Sequence, residues 1–206
     1  MFIGRESELD ELNALYTEDA FQLVVMYGRR RVGKTTLLNE FCKDKEAIFF
    51  PAEQSNDKLN LEKFSNLIFQ HYHEDTLEPF ASWEKALLYI HQRQNDQRLI
   101  LIFDEFPYLA KHNKGILSML QHAIDHILRD GRLFLVLCGS IHELYGKESI
   151  RFEKPDIWSS DGAVPFEIVQ LPNKSAFCEW LFPRGQAETV WRIRRYGNVS
   201  CPDFKS

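Results

Sequence analysis

Residues 21–35 read FQLVVMYGRRRVGKT, and this stretch decides the fold. Phe21 to Tyr27 is a short, almost wholly apolar run with two valines. Such a run suits a strand buried on both faces, as in parallel sheets. Residues 28–35 then match G-x-x-x-x-G-K-S/T, with Gly28, Gly33, Lys34 and Thr35 at the fixed places. The glycines let the backbone curl closely around phosphate oxygens so that N–H groups point inward. A helix beginning near Lys34 adds its positive dipole end. In such a cradle the lysine ammonium reaches the β- and γ-phosphates and the threonine hydroxyl ligates magnesium. A chance match in a chain of this length is roughly a one-in-a-hundred event at average composition. The predicted strand before the loop and helix after it lower that further. The candidate phosphate site is Gly28, Arg29, Arg30, Arg31, Val32, Gly33, Lys34, Thr35 and Thr36.

Outward from the loop, Leu99 to Phe103 is the strongest strand signal, and it runs directly into Asp104 and Glu105. Two carboxylates at the carboxyl end of a buried strand sit where a doubly wound sheet places its ligands. Asp104 is the candidate for holding magnesium, usually through water. Glu105 is the candidate for polarising an attacking water, as general base or as water-positioning group. Pro107 is expected to stop regular pairing after Phe106. A further buried strand, Leu133 to Cys138, leads into Gly139 and Ser140. If that strand lies between the other two, the Ser140 hydroxyl can bond the attacking water or a phosphate oxygen. The competing reading of Ser140 is a cap for a helix starting near Ile141.

The rest of the chain alternates strands and helices. Helices are expected over Arg5–Tyr16, Lys34–Cys42, Leu59–Tyr72 with Asn56 or Asp57 as cap, Ser82–Gln94 and Ile116–Leu128. Further strands are expected over Ala47–Phe50, stopped by Pro51, and over Val164–Leu171. This order implies parallel strands joined by helical crossovers: an α/β, doubly wound parallel sheet of about five strands with helices on both faces. Residues 1–171 are expected to form that domain. Residues 172–206 read as a C-terminal helical segment, a remnant of a lid. The stretch from Gly146 to Gly162 is the least regular.

With 206 residues the chain can bury one good-sized core. A net charge of -5 gives no support to nucleic-acid binding through an overall basic field, although a local basic patch stays open. No apolar run reaches the length of a membrane span, and the opening residues lack the order of a secretory signal. The four cysteines, Cys42, Cys138, Cys178 and Cys201, are scattered without a C-x-x-C pair. Cys42 and Cys138 read as small core residues, so a reduced, cytoplasmic setting away from membranes is expected.

Three features together resemble the archaeal-type ATPase family within the AAA-related and STAND P-loop ATPases. They are Phe2-Ile3-Gly4-Arg5-Glu6-Ser7-Glu8-Leu9, Tyr27 to Thr35 with its three consecutive arginines, and Asp104-Glu105-Phe106-Pro107-Tyr108-Leu109 followed by Cys138-Gly139-Ser140. The resemblance runs from Met1 to about Tyr145. It implies a five-stranded parallel sheet in which another strand separates the Lys34 and Asp104 strands. It implies ATP and Mg2+ as ligands, and Phe2 to Arg5 near the adenine side. Members of the family usually continue into a helical lid and a winged-helix domain. The residues from Lys154 to Pro165 lack the family's usual proline-leucine-tyrosine-glycine-arginine stretch, so no lid arginine can be assigned.

Several other groups have blander readings. Arg29, Arg30 and Arg31 can meet nucleotide charge or an acidic neighbour, or simply form solvated ion pairs. Arg192, Arg194 and Arg195 beside Trp191 and Tyr196 suit a solvated helix face. His122 and His126 have metal-ligand spacing but no evident third ligand. Phe177, Trp180 and Leu181 suit core packing. Two functions follow. One is magnesium-dependent ATP hydrolysis acting as a switch on a protein partner or on a second copy of the chain. The other is an ATP/ADP-binding interaction module without significant turnover.

Overall fold

A computed structural model of the chain describes residues 5–75, 78–94 and 98–140, and the backbone of 166–170. Five strands form one sheet in the order β2-β3-β4-β1-β5. They are β1 (Gln22–Gly28), β2 (Ala47–Pro51), β3 (Ile100–Asp104), β4 (Phe134–Ser140) and β5 (Phe166–Gln170). The first four are mutually parallel where they pair. Strand β4 lies between β1 and β3, so it separates the strand that feeds the phosphate loop from the strand that ends in Asp104.

Alternation along the strands explains why they read as continuous apolar runs. Leu23, Val25 and Tyr27 of β1 face one helical layer, while Val24 and Met26 face the other. In β3, Leu101 and Phe103 take the first face and Ile100 and Ile102 the second. With both faces covered, successive side chains on opposite sides are all buried. One layer is built from α3 (Asp57–His71), α4 (Trp83–Gln92), α5 (Phe106–His112) and α6 (Ile116–Ala123). The other is built from α1 (Glu6–Thr17) and α2 (Lys34–Phe41). Phe50, Phe64, Trp83 and Phe103 interlock edge-to-face or tilted in the first layer, with ring centroids 5.1–6.1 Å apart. That geometry is the favoured one for aromatic quadrupoles.

The helix starts follow local chemistry. Asn56 caps α3, its side-chain oxygen accepting from the Leu59 N–H at 2.8 Å. Ser82 caps α4 by accepting from the Lys85 N–H at 3.2 Å. Each cap satisfies one of the orphan donors of a first helical turn. Ser82 is therefore the residue before the helix rather than its first member.

Three details differ from the sequence expectation. Strand β5 runs antiparallel to β1, with Phe166 beside Gly28 and Gln170 beside Val24. Strand β4 finishes at Ser140, also beside Gly28. A strand that starts at the edge where its predecessor ended, on the same neighbour, has to run back the other way. An apolar run carries no sign of direction, so the sequence could not give this. Secondly, strand pairing already ends at Asp104, ahead of Phe106, and Pro107 sits in the first turn of α5, where its missing N–H costs nothing. Thirdly, the helix expected from Ile116 to Leu128 is α-helical to Ala123 and continues as a π-helical turn, Ile124–Leu128.

The described residues leave out Phe2 to Gly4, a helix start at Ile141, the Gly146–Gly162 stretch, Cys178 and Cys201. The Phe177–Leu181 stripe, the Arg192–Arg195 cluster and the segment 172–206 also lie outside them. Among the described residues, no helix is long and apolar enough to cross a membrane.

Candidate functional site

The loop between β1 and α2 turns through two left-handed residues, Arg31 at φ 64° and Gly33 at φ 90°. At φ 90° a side chain is strained whatever the space around it, so the second glycine of the motif is required by the backbone itself. Helix α2 opens at Lys34, so its unpaired N–H groups lie at the loop. The Lys34 side chain is buried, and its Nζ donates to the loop's own carbonyls, Gly28 at 3.2 Å and Arg29 at 2.9 Å. Arg5 holds the loop from outside, donating to the Val32 carbonyl at 3.0 Å while pairing with Glu8 at 3.1 Å. Arg30 donates to the Tyr108 hydroxyl at 2.7 Å. Arg29, Arg31, Thr35 and Thr36 are exposed.

Asp104 is the last residue of β3, and its two carboxylate oxygens are used differently. Oδ2 accepts from the Thr35 hydroxyl at 3.1 Å, and Oδ1 accepts from the Glu105 backbone N–H at 3.0 Å. The first bond joins residues 69 apart in the chain. Glu105 itself is left-handed, at φ 51° and ψ 38°, and stands as the N-cap of α5. A non-glycine residue in that region costs about 1–3 kcal/mol and persists only where its surroundings hold it. The Glu105 carbonyl accepts from the Tyr108 N–H at 2.9 Å, closing the turn.

At the end of β4, Cys138 lies against the Asp104 carboxylate. Burial, and then the nearby negative charge and a hydrogen bond to Asp104, push its thiol well above the usual range. It is thus an inert, protonated core residue, as its apolar neighbours suggest. Cys42 behaves likewise, with burial raising its thiol to about 11. Ser140 pairs in register with Gly28 and is fully buried. Among the described residues its Oγ has no hydrogen-bond partner. A buried hydroxyl of that kind is costly unless something else satisfies it.

The expected residues therefore converge on one edge of the sheet: Lys34 and Thr35 from the loop, Asp104 and Glu105 from β3, Ser140 from β4. Sequence reasoning quoted Tyr108 within the resemblance motif but gave it no role; Arg30 reaches it from the loop. His122 and His126 stack with ring centroids 4.5 Å apart, and His122 Nδ1 lies 3.2 Å from Glu84. Among the described residues no three His, Cys, Asp or Glu side chains gather as a metal group.

Residues 2–150 match the family model described as an ATPase domain predominantly from Archaea. The chain belongs to this family. It is similar to an uncharacterized protein of Methanocaldococcus jannaschii, 30% identical over 194 residues. That match covers 94% of this chain and 41% of the relative, so the chain spans about two fifths of the relative's length. Among solved structures it resembles a Walker-type ATPase of Pyrococcus abyssi, with a TM-score of 0.50 and 23% identity over 72% of this chain and 50% of the other. It also resembles Cdc6p from Pyrobaculum aerophilum, with a TM-score of 0.50 and 19% identity over 71% of this chain and 41% of the other. These structural likenesses are likenesses of fold. The chain thus carries a P-loop ATPase domain of the archaeal type.

Proposed function

We propose that this domain binds ATP with magnesium and hydrolyses it, and that the change of bound nucleotide switches the position of a partner protein or a second copy of the chain. The observation that carries this reading is the 3.1 Å contact between the Thr35 hydroxyl and Asp104 Oδ2. Oxygen donors from a phosphate loop and from a distant strand end meet at one point, which is the hard-oxygen donor set magnesium prefers. Thr35 would ligate the ion, and Asp104 would hold it through water. The ion would neutralise charge on the β- and γ-phosphate oxygens.

The chain's own residues do the rest. The N–H groups of residues 29–36 and the start of α2 cradle the phosphates. Lys34 exchanges its bonds to two neutral carbonyls for charge-assisted bonds to phosphate oxygens, which are stronger. Glu105 accepts a proton from the attacking water or orients it for in-line attack. Ser140, a buried hydroxyl beside Gly28, satisfies itself on that water or on a phosphate oxygen. Arg5 steadies Val32 of the loop on the side where the adenine is expected. The free thiols Cys42 and Cys138 suit the reducing cytoplasm.

The deciding experiment is magnesium-dependent phosphate release by the purified chain and by Glu105→Gln. The wild type is expected to release phosphate, and the variant to bind ATP with little release. An ATP-induced thermal shift with background release in both would leave a nucleotide-binding interaction module instead.

A further inference from the structure

Gly139 and Pro107 meet at the point where β4 passes the first turn of α5. A Cβ built on Gly139 would lie 2.5 Å from Pro107 Cδ and 2.6 Å from Cγ. No real side chain carbon survives such contacts, so the proline ring occupies the place of a side chain on β4. Pro107 is buried and follows Glu105 by two residues. Glu105 is the left-handed residue at which the chain leaves β3 for α5. Its N–H is held by Asp104 Oδ1 and its carbonyl by the Tyr108 N–H. Those two bonds fix the backbone ends of the turn, but they do not fix where α5 stands relative to β4. The packing of α5 does: Phe106, Leu109 and Ala110 bury into the core, and Pro107 is the residue seated directly on β4.

We propose that Gly139 and Pro107 are positioning residues for Glu105: the ring seated on the bare strand sets the depth of α5, and with it the place of the Glu105 carboxylate over the phosphate site. The proposal rests on the reading of Glu105 as the water-activating group. Neither residue is among those assigned to the phosphates or the ion, so the effect is expected on the chemical step. A shift of about 1 Å in a reacting group can cost on the order of a hundredfold in rate, while the cradle on β1 and α2 keeps its geometry. A purely structural contact would lower stability and leave the turnover of the folded fraction alone.

The test uses Gly139→Ala, Pro107→Ala, the double variant and Glu105→Gln, each measured for kcat, KM for ATP, melting temperature and amide exchange. Gly139→Ala is expected to lower kcat by about tenfold or more with KM for ATP within about threefold of wild type. The Glu105 and Tyr108 amides should exchange faster. Adding Pro107→Ala to Gly139→Ala removes the ring that the new methyl strikes, and should restore most of the lost turnover relative to Gly139→Ala alone. If Gly139→Ala does not fold, Pro107→Ala, which removes atoms and adds none, carries the same test: lower kcat, unchanged KM, and faster exchange confined to the turn. Wild-type kcat in both single variants overturns the proposal, as does a double variant no faster than Gly139→Ala. So does a loss of ATP binding in step with turnover. A wild type no faster than Glu105→Gln is a different failure: it defeats the hydrolysis reading and the catalytic half of this one, while amide exchange still decides whether the pair holds the turn.

Discussion

Arg98 and Asp104 bracket the same strand, and the two ends of β3 are built on opposite principles. At the start, Arg98 is buried and each of its three guanidinium nitrogens donates to a backbone carbonyl. Its Nε donates to the Arg132 carbonyl at 2.8 Å and its Nη1 to Leu15 at 3.1 Å. Further close bonds run to the carbonyls of Tyr16, Glu18 and Ala20. The Tyr16 hydroxyl donates back to the Arg98 carbonyl at 2.9 Å. Several of these carbonyls belong to the last turn of α1 and the residues just after it, where the helix dipole is negative. Burial lowers the guanidinium pKa, but these carbonyl dipoles supply the compensation a buried charge needs. At the other end, Asp104 and Lys34 hold partners they can exchange. Two strained residues, Arg31 and Glu105, stand nearby, and Ser140 has a buried hydroxyl without a partner among the described residues. One end of the strand is tied for stability and the other is left able to change partners.

The comparison breaks most directly at the exchangeable end. Lys34→Ala should abolish the ATP-induced thermal shift and reduce turnover by about a hundredfold or more, the size of loss seen when one preorganised cation or donor is removed. A shift that survives would refute the cradle. Next, Glu105→Gln should cut kcat by about a hundredfold or more while the thermal shift with ATP and magnesium persists. Calorimetric melting and phosphate release separate the two effects.

At the tied end the expected change is in stability alone. Arg98→Met takes the guanidinium from five carbonyls, of which those of Leu15 and Glu18 keep a backbone donor, at a cost of about 3 kcal/mol after partial hydration. In a chain of this size that lowers the melting temperature by roughly 10 °C. The kcat of the folded fraction should stay at the wild-type value. A variant that melts normally, or one that loses kcat without losing stability, would erase the distinction between the ends. The smallest effect is expected for Tyr108→Phe, which removes the exposed bond from Arg30. It should change stability by less than about 1 kcal/mol, measured by denaturant unfolding. A larger loss would mean that the phosphate loop leans on α5 more heavily than one exposed bond allows.

Legibility in the sequence followed the range of the interaction. The loop at Gly28 to Thr35 was readable because its chemistry is local: the glycine conformations, the helix start and the lysine all lie within eight consecutive residues. The buried strands were readable because burial on both faces leaves polar residues only at their ends, as at Gln22, Asp104 and Ser140. The caps at Asn56 and Ser82 were within reach because each bonds an N–H three residues on. Arg98 was not readable. A lone arginine before an apolar run looks like a solvated strand end, and its carbonyl partners Leu15 to Ala20 lie about 80 residues away. The π-helical turn at Ile124–Leu128 was hidden as well, since its apolar spacing passes for an α-helix.

The sequence by itself determined that a phosphate loop joins a buried strand to a helix, and that a second strand runs into two consecutive carboxylates. It did so because those features depend on residue type and spacing. Only the tertiary structure decided that β5 runs antiparallel beside β1, because chain direction depends on where the previous strand ended. Only it decided that the Thr35 hydroxyl meets Asp104 Oδ2 across 69 residues, and that Glu105 leaves the strand in a left-handed turn. Only it decided that a proline ring takes the place of a side chain on Gly139. Apart from the Glu105 turn, whose bonds to Asp104 and Tyr108 are local, each of these is a relation between segments distant in the chain, fixed by how the layers pack.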